Sequence, residues 1–130
     1  MAIKIIGNMT QENKELLLKD ICARLPYGVV IHFDEKTDQD DERLYGMREN
    51  GGKFLINDAF YIEEIKPYLF PLSSMTEEQR REQEAHFICI KHDMSFSICR
   101  YMEWCYKNHL DVNGLIPKGL AIDATGKNIY

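Results

Sequence analysis

Apolar residues recur at helical spacing between residues 10 and 25, where Leu17, Leu18, Ile21, Cys22 and Leu25 share one face and Glu15 and Lys19 make a favourable i,i+4 pair opposite. Thr10 is the expected N-cap. Pro26 and Gly28 stop the helix near Leu25. The period then switches to two: in GVVIHF, Val29, Ile31 and Phe33 alternate with Val30 and His32, which predicts a half-buried strand with His32 turned away from the core. RLYGMR and KFLIN read as two further strands joined at ENGG, since Asn50-Gly51 favours a tight hairpin turn. AIKII at residues 2–6 could add another short strand.

The stretch IKPYLFPLSSMTEEQ, residues 65–79, carries two prolines and a helix start. As a strand over residues 61–70 it would set Lys66, Tyr68 and Phe70 on one face and Ile65, Pro67 and Leu69 on the other. Pro67, Leu69 and Pro71 would offer one backbone donor among three on their edge, so the prolines are expected to end the sheet there. Thr76 with Gln79 fits a capping box for a helix beginning near residue 77, with Ser74 and Glu77 as the alternative register. That helix opens EEQRREQE, too polar for its first turns to be buried, and FICI at residues 87–90 either extends it or forms a short strand. After a break at residues 92–95, Ile98, Met102, Cys105 and His109 or Leu110 mark a last helix ending near Asn108, flanked by Tyr101 and Trp104. The glycine-punctuated tail VNGLIPKGLAIDATGKNIY reads as an extended segment laid over the core.

Composition narrows the classes. The 130 residues fit one domain, residues 1–130, able to bury roughly two thirds of the unfolded surface. No apolar run could span a membrane and the start of the chain lacks a secretory signal, so an intracellular, cytoplasmic protein is expected, with Cys22, Cys89, Cys99 and Cys105 reduced. A net charge of −5 without a basic stripe argues against nucleic acid as the partner. Six carboxylates against one lysine at residues 34–42 predict a solvated loop.

Candidate chemistry is sparse. Cys89, His92, Cys105 and His109 form a C-x2-H then C-x3-H set of good zinc ligands, but the ligand order is unusual and core cysteines beside surface histidines are the better explanation. A cysteine nucleophile would need a base and an orienting group, and none of the four histidines is singled out. Asp38, Asp40 and Glu42 start like a calcium loop, yet Arg43 stands where its glycine belongs. Gly126-Lys127 lacks the spacing and the Ser or Thr of a phosphate loop. No metal, cofactor or catalytic residue is therefore expected.

Three stretches, KDICARLPYGV (19–29), IKPYLFPLSSMTEEQ (65–79) and NHLDVNGLIPKGLAIDA (108–124), together resemble a family of uncharacterised proteins from gut anaerobes and their phages or integrated elements. They cover about a third of the chain, while the acidic loop and residues 80–107 look particular to this protein. The resemblance implies a small intracellular protein encoded by a mobile element and carries over no catalytic residue.

The expected fold is α+β: an N-terminal helix, a small twisted antiparallel sheet of about four strands that could curl toward an SH3-like barrel, and two C-terminal helices. The expected function is a non-enzymatic protein-binding or assembly module, the alternatives being a structural homo-oligomer of a phage or mobile element and a zinc-site protein or small hydrolase using the Cys/His set. With Ile65, Pro67, Leu69 and Pro71 turned inward, Tyr68 and Phe70 would stay partly accessible beside Tyr27 and Lys66 as a partner-binding patch, unless the last helix and Trp104 cover them.

Overall fold

Helix α1 spans Gln11–Arg24, and the Thr10 hydroxyl caps it by accepting from the Asn13 amide at 3.1 Å. A computed structural model describes residues 9–33, 42–44, 62–92 and 94–130. The expected strands at 2–6 and 53–57, the Asn50-Gly51 turn and the acidic loop up to residue 41 lie outside these. Strands β1 (Val29–Phe33), β2 (Glu42–Leu44) and β3 (Ile65–Leu69) form an antiparallel sheet with β1 in the middle, in register Val29 with Leu44 and Ile31 with Pro67. Helices α2 (Glu77–His92) and α3 (Met94–Lys107) follow as a hairpin, FICI continuing α2. The α+β class holds. The strand beyond β3 is supplied by the tail: β4, Ile122–Asp123, pairs in parallel, giving the order β2-β1-β3-β4. The two ends of this order, β2 and β4, are not paired with each other among the described residues.

This last strand corrects the expectation that the prolines end the sheet. The Ala124 amide donates to the Leu69 carbonyl at 2.8 Å, which places β4 on the Pro67–Leu69–Pro71 edge. Proline lacks a donor but keeps its carbonyl, and so short a parallel ladder draws on carbonyls and the single Leu69 amide. The opposite edge of β3 is shared. Ile31 to Phe33 pair with Pro67 to Ile65. One step on, where Val30 and Tyr68 would exchange ladder bonds, the Tyr130 hydroxyl accepts from the Val30 amide at 3.0 Å and donates to the Tyr68 carbonyl at 2.7 Å. Past that, Phe70 donates to the His109 carbonyl and accepts from the Asp111 amide, both at 2.8 Å.

The period-2 pattern sorts the two faces of the sheet. Val29, Ile31, Phe33, Ile65 and Leu69 pack with Leu17 and Ile21 of α1 and with Leu115, Leu120 and Ala121 of the tail. Val30 and Tyr68 face the other way, under Ala124, Ile122, Ile129 and Tyr130. His32 is half-buried on that second face, edge-on to Tyr68 at 6.2 Å. The buried stripe of α1 is rotated from the expected one: Leu17, Asp20, Ile21 and Arg24 are buried, while Leu18 and Cys22 are exposed. The rotation is possible because Asp20 and Arg24 neutralise each other through two hydrogen bonds, Arg24 Nη2 also donates to the Leu110 carbonyl at 2.8 Å, and the Asn113 amide donates to Asp20 at 2.8 Å. Arg24 Nη1 has no hydrogen-bond partner among the described residues, and the guanidinium carbon lies 5.0 Å from the Tyr106 ring centroid.

Helix α3 ends in a Schellman motif. His109 takes φ = 57°, its amide donating to the Tyr106 carbonyl at 3.1 Å and that of Leu110 to the Cys105 carbonyl at 2.9 Å. The chain then turns sharply: the Asp111 carboxylate accepts from the Leu115 and Ile116 amides at 2.7 and 2.9 Å, and Gly114 and Gly119 adopt left-handed φ of 72° and 75°. The stretches 19–29, 65–79 and 108–124 therefore meet. Arg24 and Asp20 of the first hold the third, the third pairs both edges of β3 in the second, and all three converge on the frame of the fold.

Candidate functional site

The α2–α3 hairpin joins this frame through α3, where Cys105 is buried against Met75 and Leu110, whereas α2 buries none of its residues. Its base is fixed by the expected capping box: the Gln79 amide donates to the Thr76 hydroxyl at 3.1 Å and the Thr76 amide to Gln79 Oε1 at 2.9 Å. Ser74 instead donates from its hydroxyl to the Pro71 carbonyl at 2.7 Å. The two helices are held by polar and aromatic contacts. Trp104 Nε1 donates to Glu82 at 2.8 Å, Gln83 to the Tyr101 hydroxyl at 3.1 Å, and the His86 ring lies 5.8 Å from Tyr101 and 5.4 Å from Trp104. Phe87 meets Tyr101 at 5.2 Å.

Beyond these contacts the hairpin shows apolar surface. Phe87 is 44% exposed, Ile88 58% and Ile98 40%. Of the four large hydrophobic residues exposed among the described residues, only Leu18 lies elsewhere. Along one side of the hairpin, Ala85, His86, Cys89, Ser97 and Arg100 line a cleft of about 180 Å³. It is smaller than the usual small-molecule site of roughly 300–1,000 Å³, and its imidazole is packed against two aromatic rings.

No family model, curated protein or solved structure matches this chain.

The anticipated binding patch is assembled differently. Lys66, Tyr68 and Phe70 do share the second face of the sheet, and Tyr27 is half-buried in the 3-10 turn Leu25–Tyr27 before β1. Tyr68, however, is only 8% exposed, which corrects the expectation of an accessible anchor. Ala124, Ile129 and Tyr130 cover it, so the lid is the tail. Trp104 packs near Phe70 in a separate cluster with Met75, Cys105 and Leu110. Phe70 touches both clusters and stays half-buried, 6.0 Å from the Tyr130 ring, which stacks on His109 at 3.6 Å.

The Cys/His set is scattered among these surroundings. Cys89 lines the cleft, His92 is exposed at the end of α2, Cys105 is enclosed by apolar side chains, and His109 lies under Tyr130. Among the described residues no group of three or more His, Cys, Asp or Glu side chains is placed to hold a metal ion. Burial pushes the Cys105 thiol above its ordinary pKa, the opposite of what a thiolate ligand or nucleophile requires. The surface that the sequence reading missed, Phe87 with Ile88, had one visible signal: FICI is four apolar residues in a row, more than one face of a two-helix hairpin can cover.

Proposed function

We propose that this chain is a small cytoplasmic, non-enzymatic protein-binding or assembly module of phage or mobile-element origin, and that it docks through the outer surface of the α2–α3 hairpin. The observation that carries the reading is the grouping of Phe87, Ile88 and Ile98 on an element that buries little of itself. Large apolar side chains left in water cost about 25 cal/mol per Å² of apolar surface that a partner would remove, and their grouping marks an interaction site. The origin rests on the resemblance of the three frame stretches. A reducing compartment suits a chain whose four cysteines are all free thiols, three of them exposed. No described helix is long and apolar enough to cross a membrane. A zinc site or small hydrolase on Cys89, His92, Cys105 and His109 finds no support in their placement.

A photo-crosslinking side chain placed at residue 88 tests this in the native host. A discrete adduct is expected, as is one from the same probe at residue 98, and the residue-98 adduct should disappear in a folded Phe87→Ser, Ile88→Ser variant. An adduct from residue 98 that persists unchanged in that variant would refute docking through the hairpin.

A further inference from the structure

We infer that the occupant of this surface is a second copy of the chain, docked antiparallel along α2 about a two-fold axis passing between Phe87 and Ile88. The inference rests on the docking role of the hairpin and adds the partner. Glu84, Phe87, Ile88 and Lys91 fall at i, i+3, i+4 and i+7 of α2, so they form a single stripe, and all four are exposed. At about 100° per residue this stripe is centred roughly 120° around the helix from the side through which Gln83 and His86 meet α3.

The stripe reads acid, apolar, apolar, base, and that order is self-complementary in one orientation only. In a two-fold interface residue i meets j while j meets i. With Phe87 set against Ile88 of the second copy, an antiparallel arrangement brings Glu84 opposite Lys91 at both ends of the contact. A parallel pair would instead stack Glu84 on Glu84 and Lys91 on Lys91 and be repelled at both. Ile98, one turn from the Tyr101 ring on which Phe87 rests, widens the apolar centre from the neighbouring helix. A standard interface buries roughly 800 Å² per partner, more than one helical stripe and Ile98 provide, so the dimer should be weak, dissociating in the micromolar range or above.

Sedimentation velocity of the full chain over micromolar to millimolar concentration provides the test, with circular dichroism confirming the fold of each variant. A concentration-dependent dimer is expected. Lys91→Glu turns both end pairs repulsive and should raise its dissociation constant on the order of tenfold, Glu84→Lys should act likewise, and the double reversal should restore dimerisation. Ile88→Asp should leave only monomer. A wild-type chain that stays monomeric throughout, a dimer indifferent to the single reversals, or a double reversal without rescue would each overturn the inference. A monomeric wild type whose residue-88 crosslink in the host survives would overturn the second copy alone. Loss of both the dimer and the crosslink would remove the docking role as well.

Discussion

Replacing Asp20 with alanine should remove a large part of the stability of this protein. The Asp20 and Arg24 side chains are fully enclosed, one turn apart on α1. Three donors converge on the Asp20 carboxylate: Arg24 Nε, Arg24 Nη2 at 3.1 Å and the Asn113 amide at 2.8 Å. Alanine would leave the guanidinium with the Leu110 carbonyl and the Tyr106 ring face as its remaining partners. Breaking a buried pair on one side costs about 3–5 kcal/mol, against a total of roughly 5–15 kcal/mol for a domain. The double variant Asp20→Leu, Arg24→Met removes both charges and fills similar volume. It should lie within about 2 kcal/mol of the wild type, the shortfall reflecting one lost donor at the Leu110 carbonyl, which keeps the Val112 amide at 2.9 Å, and one lost acceptor at the Asn113 side-chain amide, which keeps the Tyr106 hydroxyl at 3.4 Å. Urea unfolding measures both, the midpoint falling at nearly constant m value, and the cycle closed by the Asp20→Leu and Arg24→Met single variants should show a coupling of more than about 2 kcal/mol. An Asp20→Ala loss below about 1 kcal/mol, or a double variant equal to the sum of the singles, would refute the argument that the pair is enclosed and mutually dependent.

Tyr130→Phe keeps the ring on His109 but removes the hydroxyl that bonds both the Val30 amide and the Tyr68 carbonyl, so a loss of about 1–3 kcal/mol and a visibly lower Tm are expected, and a change under about 0.5 kcal/mol would show that the hydroxyl does not close the sheet. Thr76→Ala should cost about 1 kcal/mol in thermal unfolding, with Ser74→Ala smaller; the reverse ranking would contradict the capping box. Cys22, Cys89 and Cys99 should react with a maleimide within minutes while Cys105 waits for unfolding, and four equal rates would count against the enclosed Cys105. The raised Cys105 pKa stabilises the fold fully below the ordinary thiol value of 9.0 and is lost as pH rises through the higher folded value, so alkaline destabilisation should begin near pH 9 and be weaker in Cys105→Ala; equal pH dependence in the two proteins would contradict it.

The helix starts were readable because a cap is local: Thr10 and Thr76 each satisfy an amide three residues away, and the spacing is written in the sequence. The period-2 order of Val29 to Phe33 and Ile65 to Leu69 likewise fixed which side chains oppose each other across the sheet, since a strand cannot turn one residue without turning all. The buried face of α1 was misjudged because apolar spacing alone decided it. Asp20 and Arg24 stand at i and i+4 beside Leu17 and Ile21, a visible pair, but whether it is enclosed depends on Leu110 and Asn113 arriving from the other end of the chain.

The same division runs through the candidate site. The sequence determined that Lys66, Tyr68 and Phe70 share a face and that α2 opens on a polar run that no core could accept. Only the tertiary structure decided which apolar surface would be left over. The tail covers Tyr68 through a tyrosine one hundred positions from the Val30 amide it satisfies, and β4 uses the carbonyls of an edge whose missing donors had suggested that nothing could pair there. Phe87, Ile88 and Ile98 stay uncovered because the hairpin spends its facing side on Tyr101, Trp104 and His86. Propensity and capping act over one turn and are carried by neighbours in sequence, whereas coverage is a competition among distant segments for the same surface, settled by which of them can also satisfy the backbone groups they bury.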